Sequence, residues 1–317
     1  MARPLRIIYP GAFYHVTSRG NERKNIFKSK KDREQFLEYL ASAYLRYDAV
    51  IHTYCLMDNH YHLLLETPSA NLSQIMRHIN GAYTTYFNIK RKRAGHLFQG
   101  RFKAILVDKD AYAKELSRYI HLNPIRAKIV EVPEEYEWSS YQYYIGLKKS
   151  PVWLKKDFIL GYFESKIKKA SSEYEKFVKR LLKKKDESPL AQVVGSAILG
   201  GNEFIDFIKN NYLFEKKKNK DIPALKSLFQ KPGLGEIFDA VDMVIHMDPA
   251  LARNVKMYLA RQYSGKSLKD IAQYFNIGDS GVSQASRRIS MKIREDKNLK
   301  KTIEQIEVKL SLSRMKT

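Results

Sequence analysis

The chain has 317 residues, with 57 Lys and Arg against 34 Asp and Glu, which gives a formal net charge of +23 at pH 7. Its length predicts about two domains, and its 44% hydrophobic content argues against a disordered chain. The charge surplus makes nucleic acid the first expected partner, ahead of an anionic membrane surface or acidic proteins. The single cysteine, Cys55, excludes an intramolecular disulfide and a multi-cysteine metal site, so we expect a reducing, cytoplasmic location. The sequence lacks an apolar run of about 18 residues, so we expect no membrane insertion and no membrane partner.

Strand and helix patterns alternate over the first third of the chain. We predict strands at residues 12–19, 50–57, 61–65 and 102–107, and helices at residues 32–47 and 71–90. The turn-favouring pair Asp58-Asn59 makes the second and third strands a hairpin. The resulting order, βαββαβ, is that of the ferredoxin-like (RRM-like) unit, an α+β fold with helices on one sheet face. We therefore expect a first domain at residues 1–145 whose other sheet face is open for a ligand.

The second half of the chain is predicted to be all-α. Residues 146–235 are expected to form a basic helical linker region. Within it, residues 166–185 have the pattern of a basic amphipathic helix, whose charged face is either simply solvated or contacts phosphates. A further helical segment is predicted at residues 190–213. Residues 236–317 are expected to form a helical C-terminal domain.

A helix-turn-helix is predicted near residues 267–289. A capping box starts the first helix at Ser267, and residues 276–278 supply a tight turn. On the second helix, Val282, Ala285 and Ile289 are expected to point inward. The polar and basic residues expected to point outward are Ser283, Gln284, Ser286, Arg287 and Arg288. An ordinary αα-hairpin shares much of this pattern, so DNA binding and plain packing both stay open.

Two histidines lie on the predicted third strand. Because strand side chains alternate between faces, His60 and His62 project together while Tyr61 points away. Two imidazoles can bind a divalent cation, but packing or surface exposure is the commoner reason for such a pair. A metal site would need a third ligand.

A second pair of interest ends the helix predicted at residues 111–122, which stops before Pro124. Tyr119 and Asn123 are four residues apart, so their side chains share one helix face. An amide oxygen suits a hard cation, and a neighbouring cation favours the deprotonation of a phenol. Tyr119 can then attack a phosphorus atom, although a half-buried structural tyrosine is the commoner interpretation. Nothing in the composition selects it among 21 tyrosines.

Four ordered motifs fill the first half of the chain, at residues 13–21, 57–64, 95–103 and 119–127, and a fifth follows at 138–141. They resemble the motifs of HUH-type single-tyrosine transposases, most closely those of the REP-associated tyrosine transposases. The resemblance covers about the first 145 residues. It implies a ferredoxin-like HUH domain in which a His-hydrophobic-His pair binds Mg²⁺ or Mn²⁺. It also implies a single tyrosine that cuts single-stranded DNA, leaving a 5′-phosphotyrosine link and a free 3′-hydroxyl.

By position, the resemblance makes Tyr119 the nucleophile, His60 and His62 metal ligands, and Asn123 the third ligand. Many insertion-sequence relatives have glutamine where this chain has Asn123. Other polar residues of the motifs either support the backbone or contact a DNA strand. Those expected to contact DNA are Arg19, Asn21, Arg101 and Lys103, while His15 and Gln99 have no assigned role.

The helix pair at residues 267–289 resembles the DnaA-like or Trp-repressor-like modules that some members of this group append. The resemblance implies binding of duplex DNA or of a hairpin stem, with contacts from Gln284, Ser286, Arg287 and Arg288.

We therefore predict a transposase, a metal-dependent endonuclease and strand transferase for single-stranded DNA that carries hairpins or repeats. It would act in a prokaryotic cytoplasm, associated with the nucleoid. One tyrosine serves one cleavage at a time, so joining two ends needs either a homodimer or two sequential events. The alternative is a non-catalytic DNA-binding regulator that uses the helix-turn-helix, and intact His60, His62 and Tyr119 argue against it.

Overall fold

The computed structural model describes residues 5–164, 166–182, 188–214, 225, 228 and 232–313. The chain divides into two compact units. The larger comprises Pro4–Ala191 and Ala197–Phe214, and the smaller comprises Met1–Arg3, Gln192–Ser196 and Glu215–Thr317. The larger unit therefore continues well beyond the predicted domain limit at residue 145.

The larger unit begins with the predicted order of elements. These are β1 (Ala12–Arg19), α1 (Lys30–Tyr47), β2 (Val50–Met57), β3 (His60–Thr67), α2 (Leu72–Lys90) and β4 (Lys103–Val107). Local chemistry sets their limits. The Ser29 side chain accepts a hydrogen bond from the Asp32 amide at the start of α1, and Asp58-Asn59 forms the turn between β2 and β3. The predicted α+β, ferredoxin-like order is confirmed.

One face of the sheet packs against α1 and α2. The strands lie in the order β2-β3-β1-β4, and each is antiparallel to its neighbours. Tyr61 of β3 points to this face, where its ring centroid lies 4.8 Å from that of Phe36 in α1. Its hydroxyl donates to Asn80 Oδ1 of α2 at 2.7 Å. Because side chains alternate along a strand, burial of Tyr61 places His60 and His62 on the opposite face.

The opposite face is covered over much of its length. The segments beyond β4 are α3 (Lys109–His121), α4 (Asn123–Arg126), α5 (Tyr141–Tyr144), α6 (Asp157–Leu160) and α7 (Ile167–Lys179). Phe13 of β1 packs against Phe158 of α6, with ring centroids 5.1 Å apart. Arg19 and Lys103, at the other end of this face, are exposed. The prediction of an open face is therefore wrong except at that end, because the chain beyond residue 107 folds back onto the sheet.

A short fifth strand and a helix complete the larger unit. β5 (Ile198–Leu199) pairs in parallel with β4, and α8 spans Asn202–Ile208 before a π-helical turn at Lys209–Leu213. The Leu106 amide donates to Ala197 O and the Asp108 amide donates to Leu199 O, both at 2.8 Å. The prediction of one helical segment at residues 190–213 is therefore wrong at β5, because the free edge of β4 pairs with this stretch.

The described part of the smaller unit is helical. It contains α9 (Leu234–Asp242), α10 (Pro249–Leu259), α11 (Leu268–Phe275), α12 (Asp279–Glu295) and α13 (Lys297–Ser313). Ser267 caps α11 by accepting from the Asp270 amide at 3.1 Å, and Asn276 ends α11 in the left-handed conformation. Ile271 and Val282 are buried where α11 and α12 pack together. None of the helices in the described ranges combines the length and apolar character needed to cross a bilayer.

Candidate active site

The two histidines of β3 lie side by side on the sheet face that carries α3. In the pairing of β1 with β3, His60 is opposite Arg19 and His62 is opposite Thr17. The ring centroids of His60 and His62 are 5.0 Å apart. His60 is partly exposed, whereas His62 is buried. The two imidazoles therefore converge at the point where the covered part of the face meets its exposed end.

The orientation of the His60 ring is set by Asn59. The Asn59 side-chain nitrogen donates to Arg23 O at 3.1 Å, which leaves its oxygen to accept from His60 Nδ1 at 2.7 Å. His60 Nδ1 therefore carries a proton, and His60 Nε2 carries the lone pair when the ring is neutral. Metal-binding histidines are commonly held by such a bond to the second nitrogen.

The ring of His62 is held by a third histidine, His15 of β1. His15 Nε2 and His62 Nδ1 are 2.9 Å apart, and the two rings are stacked with 6° between their planes. Among the described residues, His62 Nε2 and His15 Nδ1 are buried without a hydrogen-bond partner. His15, a motif residue to which the sequence assigned no role, therefore orients His62. The signal was available in the sequence, because side chains diagonal to one another on paired strands approach each other.

Burial keeps this histidine cluster neutral. It lowers the pKa of His15 to about 3. Burial, with a smaller effect of the Arg19 charge, lowers the pKa of His60 to about 4 against an opposing effect of Asp58. Burial and the neighbouring His15, His60 and Arg19 hold the pKa of His62 well below its usual range. At neutral pH the ring nitrogens therefore offer lone pairs rather than charge, as a metal ligand requires.

Tyr119 lies on α3 directly over this cluster. Asp108 caps α3 by accepting from the Ala111 amide. The Tyr119 ring is half-buried and stands nearly edge-on to two histidines, with centroid distances of 6.0 Å to His62 and 6.2 Å to His15. The structure thus brings together three of the predicted site residues: His60, His62 and Tyr119.

Arg126 is a further residue at this site that the sequence did not single out. Its guanidinium carbon lies 4.6 Å from the centroid of the Tyr119 ring. The short gap between α3 and α4 could have indicated this contact, because α4 follows α3 almost directly and returns Arg126 to the Tyr119 side. The contact places a positive charge against the phenol.

Asn123 begins α4, one turn beyond Tyr119. Its side-chain nitrogen donates to Tyr119 O at 2.8 Å and to Ile120 O at 3.4 Å, so its amide oxygen is the atom left for a ligand. In the described part of the chain, no group of three His, Cys, Asp or Glu side chains is arranged to hold a metal ion. Within that part of the chain, His60 and His62 therefore have no histidine, cysteine or carboxylate placed to act as a third metal ligand.

The predicted DNA contacts of the larger unit lie around the exposed end of the sheet face. Arg19, Asn21, Arg101 and Lys103 are all exposed. Arg19 pairs with His60 across the strands, and Lys103 pairs with Thr17, so both share the face of the histidines. Backbone hydrogen bonds hold this rim together: the Asn21 amide donates to Leu97 O at 2.9 Å and the Gln99 amide donates to Arg19 O at 2.8 Å.

The predicted contacts of the smaller unit divide into two groups. Gln284, Arg287 and Arg288 are exposed on α12, but Ser286 is 5% exposed and faces the core. The prediction that Ser286 points outward is wrong. It follows Val282 by four residues, and this spacing places both residues on the buried helix face.

Comparison with known proteins bears on the larger unit. The family model described as "Transposase IS200 like" matches residues 9–123. Over this span the chain is similar to the IS200-like transposases. Transposase domains of this family cleave and transfer DNA, and the matched span contains His60, His62, Tyr119 and Asn123.

One solved structure similar to the chain is that of a REP-associated tyrosine transposase bound to a REP hairpin. The similarity covers 50% of this chain and 93% of that one, with 16% sequence identity and a TM-score of 0.41. No curated protein matches the chain at a significant level.

Proposed function

We propose that the transposase domain cleaves and rejoins single-stranded DNA with Tyr119 as its nucleophile. The observation that carries the proposal is the convergence of the Tyr119 ring with the buried histidine cluster, 6.0 Å from His62 between ring centroids. A tyrosine beside two ring nitrogens with free lone pairs is an arrangement for phosphoryl chemistry at a metal ion. In support, His62 Nε2 is buried without a hydrogen-bond partner among the described residues, and a bound ion would supply that partner.

His60, His62 and Asn123 are the proposed ligands of Mg²⁺ or Mn²⁺. The donor set fits such an ion: His60 and His62 each have Nδ1 held by a neighbour and Nε2 left over, and the Asn123 amide oxygen is a hard donor. When bound, the ion would polarise the phosphoryl oxygens of the DNA. Protein side chains would carry out the remaining steps of the reaction.

The proposed reaction exchanges one phosphoester bond for another. Tyr119 Oη forms a bond to phosphorus, the bond from phosphorus to the 3′-oxygen breaks, and the phenol proton ends on the 3′-hydroxyl. The product is a 5′-phosphotyrosine link, and the reverse attack by a 3′-hydroxyl rejoins the strand. Arg126, stacked on the Tyr119 ring, is suited to face the charge on the phosphoryl oxygens.

The proposed DNA partner is a single strand that carries a hairpin or a repeat. The motifs of residues 13–127 resemble those of enzymes that act on such elements. The exposed rim of Arg19, Asn21, Arg101 and Lys103 would hold the strand phosphates beside His60. In the smaller unit, α12 would contact duplex DNA or the hairpin stem through Gln284, Arg287 and Arg288. We place this activity in a prokaryotic cytoplasm, at the nucleoid.

The test is formation of a covalent adduct. The full chain is incubated with labelled single-stranded hairpin oligonucleotides, with Mg²⁺, with Mn²⁺ or with a chelator, and is then run on a denaturing gel. We expect a metal-dependent adduct in the wild type and none in Tyr119→Phe. Tyr112→Phe, the same change on the same helix, is the matched control.

Two results would overturn the proposal. An adduct that persists in Tyr119→Phe would exclude this nucleophile. No adduct on any strand, together with tight duplex binding, would favour the regulator alternative. A dimer is tested separately, by mixing Tyr119→Phe with a His62→Ala variant: complementation requires two chains at one site.

A further inference from the structure

A buried chain of hydrogen bonds runs along the side of α3 that faces away from Tyr119. Its central residue is His121. His121 Nδ1 lies 2.7 Å from Tyr174 Oη of α7, and His121 Nε2 lies 2.7 Å from Ser140 Oγ. Tyr174 Oη also lies 3.0 Å from Ser117 Oγ. The side chains of Ser117, His121, Ser140 and Tyr174 are all fully buried.

The hydroxyls at the two ends of this network also have backbone partners. Ser117 Oγ lies 2.7 Å from its acceptor Lys114 O, and Ser140 Oγ lies 3.2 Å from Tyr54 O. The neutral His121 ring donates through one nitrogen and accepts through the other, so it can bond to Tyr174 and Ser140 at the same time. Each hydroxyl and ring nitrogen of the four side chains has a partner, which is how buried polar networks become rigid.

This hydrogen-bonded network connects α3 to two separate parts of the domain. On one side, Ser140 exchanges hydrogen bonds with β2: the Tyr54 amide donates to Ser140 Oγ at 3.0 Å and the Ser140 amide donates to Tyr54 O at 3.0 Å. On the other side, Tyr174 belongs to α7, which lies outside the residues matched by the family model. The helix that carries the nucleophile is thus held between strand β2 and α7.

Because of helix geometry, the hydrogen bonds that hold α3 also limit the movement of Tyr119. Residues two positions apart are rotated by about 200° around the axis. Ser117 and His121 therefore share one face of α3, and Tyr119 lies on the opposite face, toward His62. A rotation or slide of α3 that moved the Tyr119 hydroxyl would have to break the bonds of His121 and Ser117.

We propose that Tyr174 is a positioning residue for strand cleavage and that α7 is part of the active-site framework. This inference rests on the proposed function of Tyr119. Tyr174 touches neither the DNA nor the histidine cluster, and acts only through the placement of α3. Neither the motifs nor the family model supplies a role for residues 167–179. The proposal gives this segment a part in catalysis.

The test compares two tyrosine-to-phenylalanine variants within one aromatic cluster. Tyr174→Phe keeps the ring but removes the hydroxyl that bonds to both His121 and Ser117. Tyr141→Phe is the matched control, because the Tyr141 ring centroid lies 6.4 Å from that of Tyr174 and its buried hydroxyl has no partner among the described residues. Single-turnover adduct formation is measured at saturating hairpin oligonucleotide. Affinity for the same oligonucleotide is measured in the Tyr119→Phe background, where no cleavage intervenes.

We expect Tyr174→Phe to slow adduct formation about 10–100-fold, the effect of a misplacement of about 1 Å, with unchanged DNA affinity. Tyr141→Phe should behave as wild type. Equal rates in wild type and a folded Tyr174→Phe protein would overturn the inference alone, and so would parallel losses of rate and DNA affinity in a folded protein. Absence of an adduct from the wild type would instead remove the proposed function, and the inference with it.

Two further measurements keep the inference testable if Tyr174→Phe folds poorly. Ser117→Ala removes the Ser117 hydroxyl, which bonds to Tyr174 and to Lys114 O, and should slow adduct formation in the same direction by a smaller factor. Nitrogen-15 NMR should find the His121 imidazole in a single neutral tautomer. A mixture of tautomers or a protonated ring at neutral pH would contradict the network, independently of catalysis.

Discussion

Replacing His15 by phenylalanine removes the residue that orients His62. His15 Nε2 lies 2.9 Å from His62 Nδ1, and both rings are buried, so the variant leaves His62 Nδ1 without this hydrogen-bond partner. An unsatisfied buried donor or acceptor costs about 1–3 kcal/mol, and about 1.4 kcal/mol is a factor of ten in an equilibrium constant. We therefore expect affinity for Mn²⁺ to fall about 10–100-fold, as it does when the supporting partner of a metal-binding histidine is lost.

The assay is titration calorimetry of Mn²⁺ into the DNA-free protein at neutral pH. His15→Gln supplies an amide oxygen that can accept from His62, so it should lose less affinity than His15→Phe. His78→Phe, which removes a partly buried histidine on α2, is the matched control. Unchanged Mn²⁺ affinity in a folded His15→Phe protein would refute the reasoning. An equal loss in His78→Phe would show that the effect is not specific to this bond.

Three other predictions follow from the same geometry. Arg126→Ala should slow adduct formation about tenfold relative to the exposed-site control Lys128→Gln, because it removes the cation stacked on the nucleophile's ring; equal rates would contradict this. Affinity for Mn²⁺ should stay nearly constant as the pH falls from about 8 to about 5. Burial lowers the pKa of His60 to about 4, and protons compete with the ion only near that pH. A loss of Mn²⁺ affinity centred near the usual histidine pKa of about 6.5 would contradict this prediction. Ser286→Ala should leave hairpin affinity unchanged because Ser286 is buried, whereas Arg287→Ala should weaken binding and lower its salt dependence; filter binding at several salt concentrations measures both.

Much of the fold could be predicted because its signals are local. Alternation identified β1 and the hairpin around Asp58-Asn59, and helical spacing identified α1 and α2 to within a few residues. The same alternation placed His60 and His62 on one face. Tyr119 could be selected among 21 tyrosines only by its resemblance to a family motif, since nothing in its own neighbourhood distinguishes it.

The features that could not be predicted depend on contacts between distant parts of the chain. β5 has two residues and exists because β4 offers a free edge, which no local pattern reveals. The closed sheet face depends on segments beyond residue 107 returning to it. His15 and Arg126, by contrast, could have been found, from the diagonal positions on β1 and β3 and from the short junction between α3 and α4. The buried position of Ser286 was readable from its spacing to Val282, but its polar character favoured the surface.

The central claim is that Tyr119 forms a covalent bond to DNA, and mass spectrometry of the trapped adduct tests it most directly. After nuclease and trypsin digestion, cleavage following Arg118 and Arg126 releases residues 119–126, a peptide with Tyr119 as its single tyrosine. The account predicts that this peptide carries the phosphonucleotide remnant. A remnant on a peptide with another tyrosine, or an adduct with no modified tyrosine, would contradict it.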